Sequence, residues 1–501
     1  MIEKRNKSAV VVGAGLGGLS AAISLCAEGF DVRIVEKNDK IGGKLNYLEK
    51  EGFGFDLGPS IFTLPQIFRD LFARAGKQME DYVEIEKVTP HWRNFFEDGT
   101  RIDLYEEEDL MRREVEKLAG AKEKNWAQFQ EFLNYGRSQY SMIEGGFFSE
   151  GLDTLWEFLK YYNVQLNNGV MDYRNSMSKS IEQRIDDPHL RMIFEYFIKY
   201  VGSSAHDAPG YMNLMPIIQF DYGLWYVKGG MYNLARGLGK LCDDLGIKID
   251  LNTEVESIEK DGFRKVSGIR LANGETLSAD YVVCNMEVIP AYDKLMGING
   301  RFLKRAGKKF KPACSGLVIH LGTDREYPQL AHHNFFYSKD QNKHFDTVFK
   351  KGELPEDPTI YLVAPTRTDP GKAPAGCDNI KILPHIPPID PENPLPESAY
   401  LEMKERVIDK LERMGLTDLR KHTIVEDTLT PIDLQEMYYS NRGSIYGVVS
   451  DWKRNYGFKF PKQSSKFKNL YFTGGSVNPG GGMPMVILCG QKVADRIVKA
   501  L

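Results

Sequence analysis

Residues 9–12 form an apolar run that opens directly into Gly13-Ala14-Gly15-Leu16-Gly17-Gly18, and no other feature restricts the fold of this chain as tightly. The run suits a buried parallel strand. Leu19, Ala22, Ile23 and Cys26 then recur at helical spacing, and Gly29 stands where that helix would stop. A second β-rich run over residues 31–36 ends in Glu36. Strand, glycine turn, helix, strand and acid in that order predict a βαβ unit that holds a dinucleotide. Gly13 permits the tight turn, Gly15 lets the backbone approach a pyrophosphate, and Gly18 lets the helix pack closely on the strand. Ala14, Leu16 and Gly17 complete the turn, where free N–H groups and the positive helix end meet phosphate. Glu36 is placed to accept hydrogen bonds from ribose hydroxyls.

The same stretch superficially matches a signal peptide, because residues 8–27 carry no charge and follow Lys4, Arg5 and Lys7. The glycines argue against a continuous apolar helix, since each weakens one by roughly 0.8–1.0 kcal/mol relative to alanine. No other stretch approaches the length needed to cross a bilayer. With 65 basic against 69 acidic side chains, the net charge of −4 gives no general attraction to nucleic acid. Cys26, Cys242, Cys284, Cys314, Cys377 and Cys489 are widely separated and form no Cys-x-x-Cys pair. They read as isolated thiols in a reducing, cytoplasmic setting, with no zinc site or other metal site.

Two further turns follow the acid: Gly42-Gly43-Lys44, then Phe55-Asp56-Leu57-Gly58-Pro59-Ser60. An NAD domain needs neither. Asp261-Gly262 and Asn273-Gly274 are hairpin signals, predicting a β-meander from residue 255 that returns to the apolar strand 281–284. Near the C-terminus, residues 469–476 read as strand then turn, and a helix is expected from about Met485 to Ala500. Its N-terminus would favour an electron-rich group. In these features the chain resembles the flavoproteins that include amine oxidases, protoporphyrinogen oxidases and carotenoid desaturases. That resemblance implies FAD, with Gly43 and Lys44 over the pyrophosphate and Val255 contacting the adenine through its backbone. It further implies that Gly58, Ser60, Gly475 and Met485 approach the flavin.

Three segments narrow the resemblance: residues 196–204 (YFIKYVGSS), residues 224–230 (LWYVKGG) and residues 476–485 (SVNPGGGMPM). Asn285-Met286-Glu287-Val288-Ile289-Pro290, Gln329-Leu330-Ala331-His332-His333 and Asn334 point the same way. Over essentially its whole length the chain is similar to the bacterial carotenoid desaturases and oxygenases. The branch it resembles most closely implies a hydrophobic C30 carotenoid as substrate and FAD-dependent oxidation of its terminal methyl group to the aldehyde. A desaturase acting on dehydrosqualene-like substrates stays open, as does a non-catalytic lipid carrier of this fold, against which the intact glycine turns and Glu36 speak. Desaturases of the family commonly carry Ser-Thr-His-Pro-Gly where this chain has Ser476-Val477-Asn478-Pro479-Gly480. The resemblance therefore implies that Asn478 lies beside the flavin and tunes the product. No general acid or base stands out. His332 and His333 should point to opposite faces of a strand, one packed and one solvated, and His320 reads as a hydrogen-bonded core residue.

The expected fold class is α/β: a discontinuous Rossmann-like FAD-binding domain (1–70, 226–285 and 441–501), an inserted α+β substrate domain (71–105 and 286–440) and a helical region (106–225). Residues 95–102 predict a hairpin in the second sheet, whereas 106–135 and 150–200 predict helices. Six prolines between Pro384 and Pro396 predict an extended surface connector, followed by a helix from about Ala399 to Met414. Leu152, Leu155, Trp156 and Leu159 mark an apolar helix face, near Phe147 and Phe148. A water-insoluble substrate gives that face a role in peripheral attachment to the inner face of the cell membrane. Nothing in the sequence bears on oligomeric state.

Overall fold

The computed structural model describes residues 7–167 and 171–501. Lys4 and Arg5, and residues 168–170 of the expected helical stretch, lie outside the described residues. Five strands, β1 (Ser8–Val12), β2 (Asp31–Val35), β3 (Lys248–Asp250), β4 (Tyr281–Cys284) and β5 (Leu470–Phe472), form a parallel sheet in the order β5-β4-β1-β2-β3. β1 is central, so both of its faces are covered and its sequence is apolar without alternation. Ala9 and Val11 join the core under helix α1 (Leu16–Ala27), whereas Val10 and Val12 join the core under the antiparallel meander of strands Val255–Asp261, Lys265–Leu271 and Thr276–Ser278.

The C-terminal helix Met483–Lys499 packs against α1 almost backbone to backbone. A Cβ on Gly490 would lie 2.5 Å from Gly17 O, and Ser20 Oγ donates to Ile487 O at 2.6 Å. This helix begins at Met483, before the expected Met485, with Pro484 in its first turn. Proline is tolerated there because a first-turn nitrogen has no intrahelical acceptor.

A second, mostly antiparallel sheet has eight strands. The hairpin Trp92–Phe95 and Arg101–Leu104 joins it alongside His333–Phe336, and helix Glu397–Arg413 covers one face. Strand Asp378–Ile386 corrects one expectation: Pro384 lies inside it, opposite Ile360, and the surface connector begins only afterwards. The strand continues because Pro384 has to accept and not donate, and Leu317 N–H points to its carbonyl at 3.4 Å.

The histidine expectations also change. His332 and His333 are both buried, with ring centroids 4.4 Å apart, because their strand runs through the interior of a covered sheet. Neither is solvated: His332 Nδ1 lies 2.7 Å from Thr368 Oγ1 and His333 Nδ1 lies 2.9 Å from Tyr361 OH. His320 is buried against Phe55, but its Nδ1 stays 3.5 Å from Asp427 Oδ2 without a direct hydrogen bond. All six cysteines are free thiols.

The helical part includes Glu108–Glu116, Lys122–Ile143, Leu155–Asn167, Met177–Glu182 and Pro188–Tyr196. Leu152 precedes the Leu155–Asn167 helix and is buried, so it does not belong to the same face as Leu155, Trp156 and Leu159. Those three are exposed, Trp156 to 76%. Among the described residues no helix is long and apolar enough to cross a membrane.

Candidate active site

The carboxyl ends of β1, β2 and β4 open onto a long cavity, as expected where a parallel sheet leaves its strand ends uncovered. Glu36 stands at one end. Its carboxylate accepts from Ala14 N–H at 2.8 Å and from Asn38 N–H at 2.9 Å. Both bonds pin the glycine turn to the end of β2. Gly15 is the N-cap of α1 and brings no side chain to its N–H groups, which remain open toward the cavity. Val255, at the start of the meander, closes the same end.

The middle of the cavity is floored by Gly43 and Lys44. Lys44 Nζ is tied down, although its side chain is partly exposed: it donates to Ser444 O at 2.7 Å and pairs with Glu287 at 3.1 Å, fastening the turn across the cavity. Gly58 lies against Lys44 so closely that an added Cβ would meet its carbonyl oxygen. At the far end stand Gly475, Gly481, Gly482 and Met483, the last two opening the C-terminal helix with no side-chain cap. Two uncapped helix N-termini therefore face one cavity, at its two ends, a charge pattern suited to a bound pyrophosphate and to a ring system that gathers electrons.

A second, largely apolar cavity adjoins the first and shares Gly58, Pro59, Lys381, Leu383, Tyr446 and residues 481–483 with it. Its wall includes Ile143, Phe147, Phe148, Tyr211, Met212 and Met215. Lys381 sits at the junction and donates to Gly58 O and to Ser60 Oγ, at 3.1 Å for the latter. Burial pushes its ammonium down to about 8, against the opposing pull of Asp56.

Of the residues singled out from the sequence, Gly13, Gly15, Leu16, Gly17, Glu36, Gly43, Lys44, Gly58, Val255 and Gly475 line the first cavity. Ser60 and Met485 line the second. Ala14 and Gly18 line neither: Ala14 acts through its N–H on Glu36, and Gly18 packs beneath Gly13. Asn478 is corrected. Its Oδ1 accepts from Lys459 N–H at 2.7 Å and its Nδ2 donates to Asp153 O and Lys459 O, so the amide is spent on neighbouring backbone and reaches neither cavity. Sequence reasoning misses the roles of Asn285, Lys381, Tyr446 and Lys199. Asn285 is the most legible of them, standing just past the end of the apolar strand β4, where ligands of parallel sheets bind.

Residues 16–498 match the flavin-containing amine oxidoreductase family. The chain belongs to it. It is an FAD-dependent oxidoreductase, and the glycine turns, Glu36 and the paired helix ends fit that cofactor. It is 57% identical to a 4,4′-diapolycopene oxygenase of Methylomonas sp over 100% of both chains. It is 50% identical to a 4,4′-diaponeurosporene oxygenase of Staphylococcus haemolyticus over 98% of this chain and 97% of the relative. An oxidoreductase from Methanosarcina mazei shares the fold, with a TM-score of 0.64 at 16% identity, over 97% of this chain and 100% of that one. These relatives place the chain among the carotenoid oxygenases resembled by its sequence.

Proposed function

We propose that this flavoenzyme oxidises the terminal methyl group of a C30 carotenoid, of the 4,4′-diaponeurosporene kind, to the aldehyde. The observation that carries this reading is the apolar second cavity, which ends on the first at Gly58, Tyr446 and residues 481–483. A conjugated hydrocarbon can lie in it with one end presented at the junction. FAD, when bound, supplies the acceptor for the electrons removed. The chain supplies position and dryness: Phe147, Phe148, Met212 and Met215 line the second cavity with apolar side chains that exclude water.

In this reading the first cavity holds FAD. Glu36 and Val255 take the adenosine end, Gly13, Gly15, Leu16, Gly17, Gly43 and Lys44 the pyrophosphate, and Gly58, Ser60, Gly475 and Met485 the flavin. Ala14 and Gly18 support the turn from behind. The FAD-binding domain is Rossmann-like and discontinuous (1–70, 226–285, 441–501), with 71–105 and 286–440 as substrate domain and 106–225 as helical region. Co-expression with C30 carotene synthesis tests the activity. Pigments gaining one oxygen and losing two hydrogens are expected; loss of hydrogen alone identifies a desaturase and overturns the oxygenase reading.

The substrate is delivered from the inner face of the cell membrane. On helix Leu155–Asn167, Phe158 packs inward on Phe147 and Phe458, with ring centroids 5.9 and 5.8 Å away, and Phe147 also lines the second cavity. Leu155, Trp156, Leu159 and Tyr161 are exposed. Leu155 shares a surface groove with Arg301, Arg305, Lys308 and Lys309 of helix Arg301–Lys309. Apolar side chains beside a basic stripe suit an anionic bilayer. Flotation of the holoenzyme should follow vesicles containing phosphatidylglycerol and weaken for Trp156→Glu; retention in the soluble fraction regardless of lipid would count against this docking face.

A further inference from the structure

Among the described residues six lysines are buried: Lys199, Lys372, Lys381, Lys410, Lys459 and Lys462. Five of them have a partner within the protein. Lys372 donates to Gly229 O, Lys381 to Ser60, Lys410 to Asp357, Lys459 to Ser450 and Lys462 to Asp153. Lys199, at 4% exposure, is the exception: among the described residues no carboxylate, carbonyl or hydroxyl accepts from its Nζ. Four rings surround that nitrogen instead, with centroids 3.9 Å away for Tyr361, 4.4 Å for Phe335, 4.9 Å for Trp92 and 5.1 Å for Tyr200. The side chain projects from the short turn Phe197–Val201 into the second cavity.

Its place along the cavity matters. Tyr361 pairs across the sheet with Leu383, and Leu383 lines both cavities. Lys199 is therefore held one strand away from the junction, at the end where the reacting carbon of the substrate lies. Burial drives its ammonium well below the ordinary lysine range, and its N–H groups remain hydrogen-bond donors whichever protonation state it takes. A polar group desolvated without a partner is costly, and a hydrocarbon offers it nothing. A polyene end that already carries oxygen does.

We propose that Lys199 and its ring of aromatic side chains form an end-group subsite that hydrogen-bonds the oxygen of a partly oxidised carotenoid, a terminal hydroxyl or carbonyl, and retains the alcohol for its second oxidation. This rests on the activity proposed above. It makes Lys199 a substrate-contacting residue that discriminates the oxygenated intermediate from the hydrocarbon. The aromatic faces keep the amine pointed into the cavity, and methionine in its place fills similar volume without the hydrogen bond.

The test uses full-length holoenzyme with two probes, a C30 polyene hydrocarbon and its terminal alcohol. For Lys199→Met the KM for the alcohol should rise about tenfold, the worth of one buried hydrogen bond, while the KM for the hydrocarbon stays within about twofold and bound flavin is unchanged. Alcohol should then accumulate over aldehyde, and Lys199→Gln, which keeps an N–H donor, should recover most of the loss. An unchanged KM for the alcohol, or an equal rise for both probes, overturns the subsite. A measurement on the unaltered holoenzyme stands apart from any variant: the terminal polyene aldehyde should absorb further to the red when bound than in detergent alone, because its carbonyl accepts a hydrogen bond. No red shift overturns the proposal. If neither probe is oxidised by the unaltered enzyme, the proposed activity fails, and the absorbance shift still decides whether the subsite exists.

Discussion

Replacing Gly18 by alanine strips the chain of most of its flavin. The added Cβ would lie 2.1 Å from Gly13 O and 3.3 Å from Asn285 Cβ, and the first of these is backbone that cannot rotate away. Gly13 is itself held with φ at 95° and by a hydrogen bond from its N–H to Val35 O at 2.8 Å. The clash is relieved only by pushing the N-terminus of α1 off β1. Overpacking of this kind costs about 1–3 kcal/mol, and because the displaced turn is the proposed pyrophosphate cradle, the cost appears as roughly ten- to hundredfold weaker FAD retention. Flavin absorbance per mole of purified protein is the readout. Gly307→Ala is the paired control. Gly307 lies inside the Arg301–Lys309 helix with nothing within 4 Å of an added methyl, so alanine should stabilise the helix by up to about 1 kcal/mol and leave the flavin alone. Full flavin content in Gly18→Ala would show that the turn tolerates a side chain and that the close packing is not what holds the cofactor.

The features legible in the sequence are those decided locally. The glycine turn, the helix after it and the acid at its end are set by backbone geometry over a few residues, as are the Asp261-Gly262 and Asn273-Gly274 turns that shape the meander. Long-range contacts decide the rest. Pro384 looks like a connector residue by composition, yet its neighbours Leu317 and Ile360 recruit it into a strand. Asn478 stands out in the sequence as a departure from the Ser-Thr-His-Pro-Gly of the resembled desaturases, but only the folded chain shows Lys459 and Asp153 claiming its amide before a ligand could. Lys199 is one letter of a motif in the linear chain. Its significance depends on four rings drawn from residues 92, 200, 335 and 361, a grouping no local pattern encodes.

The protein should lose its fold in mild acid, well before most carboxylates protonate. Burial pushes His332 and His385 down to about 3, and His91 and His344 down to about 4. His333 moves the same way, with His332, Lys199 and His91 adding to the effect of burial. Around these rings the charged neighbours largely oppose protonation: Lys199 and His344 act on His385, and Lys410 on His344 against the weaker pull of Asp357. His91 feels Glu106 favouring and Lys87 opposing its charge. In the unfolded chain each ring titrates near 6.5. Between that value and the folded one, the unfolded state binds protons that the native state refuses, so stability falls as pH drops. Each ring contributes about 1.4 kcal/mol per pH unit over that window. Four acting together remove roughly 5 kcal/mol between pH 6 and 5, which is comparable to the whole stability of many domains. Tryptophan fluorescence and flavin release, followed from pH 7.5 downward, should show one cooperative loss centred near pH 5. Stability that stays level from pH 7 to 5 would mean that these histidines protonate in the native state, through openings of the sheet or water reaching the cavity. Above pH 7 the rings are neutral in both states, and their contribution is complete and constant.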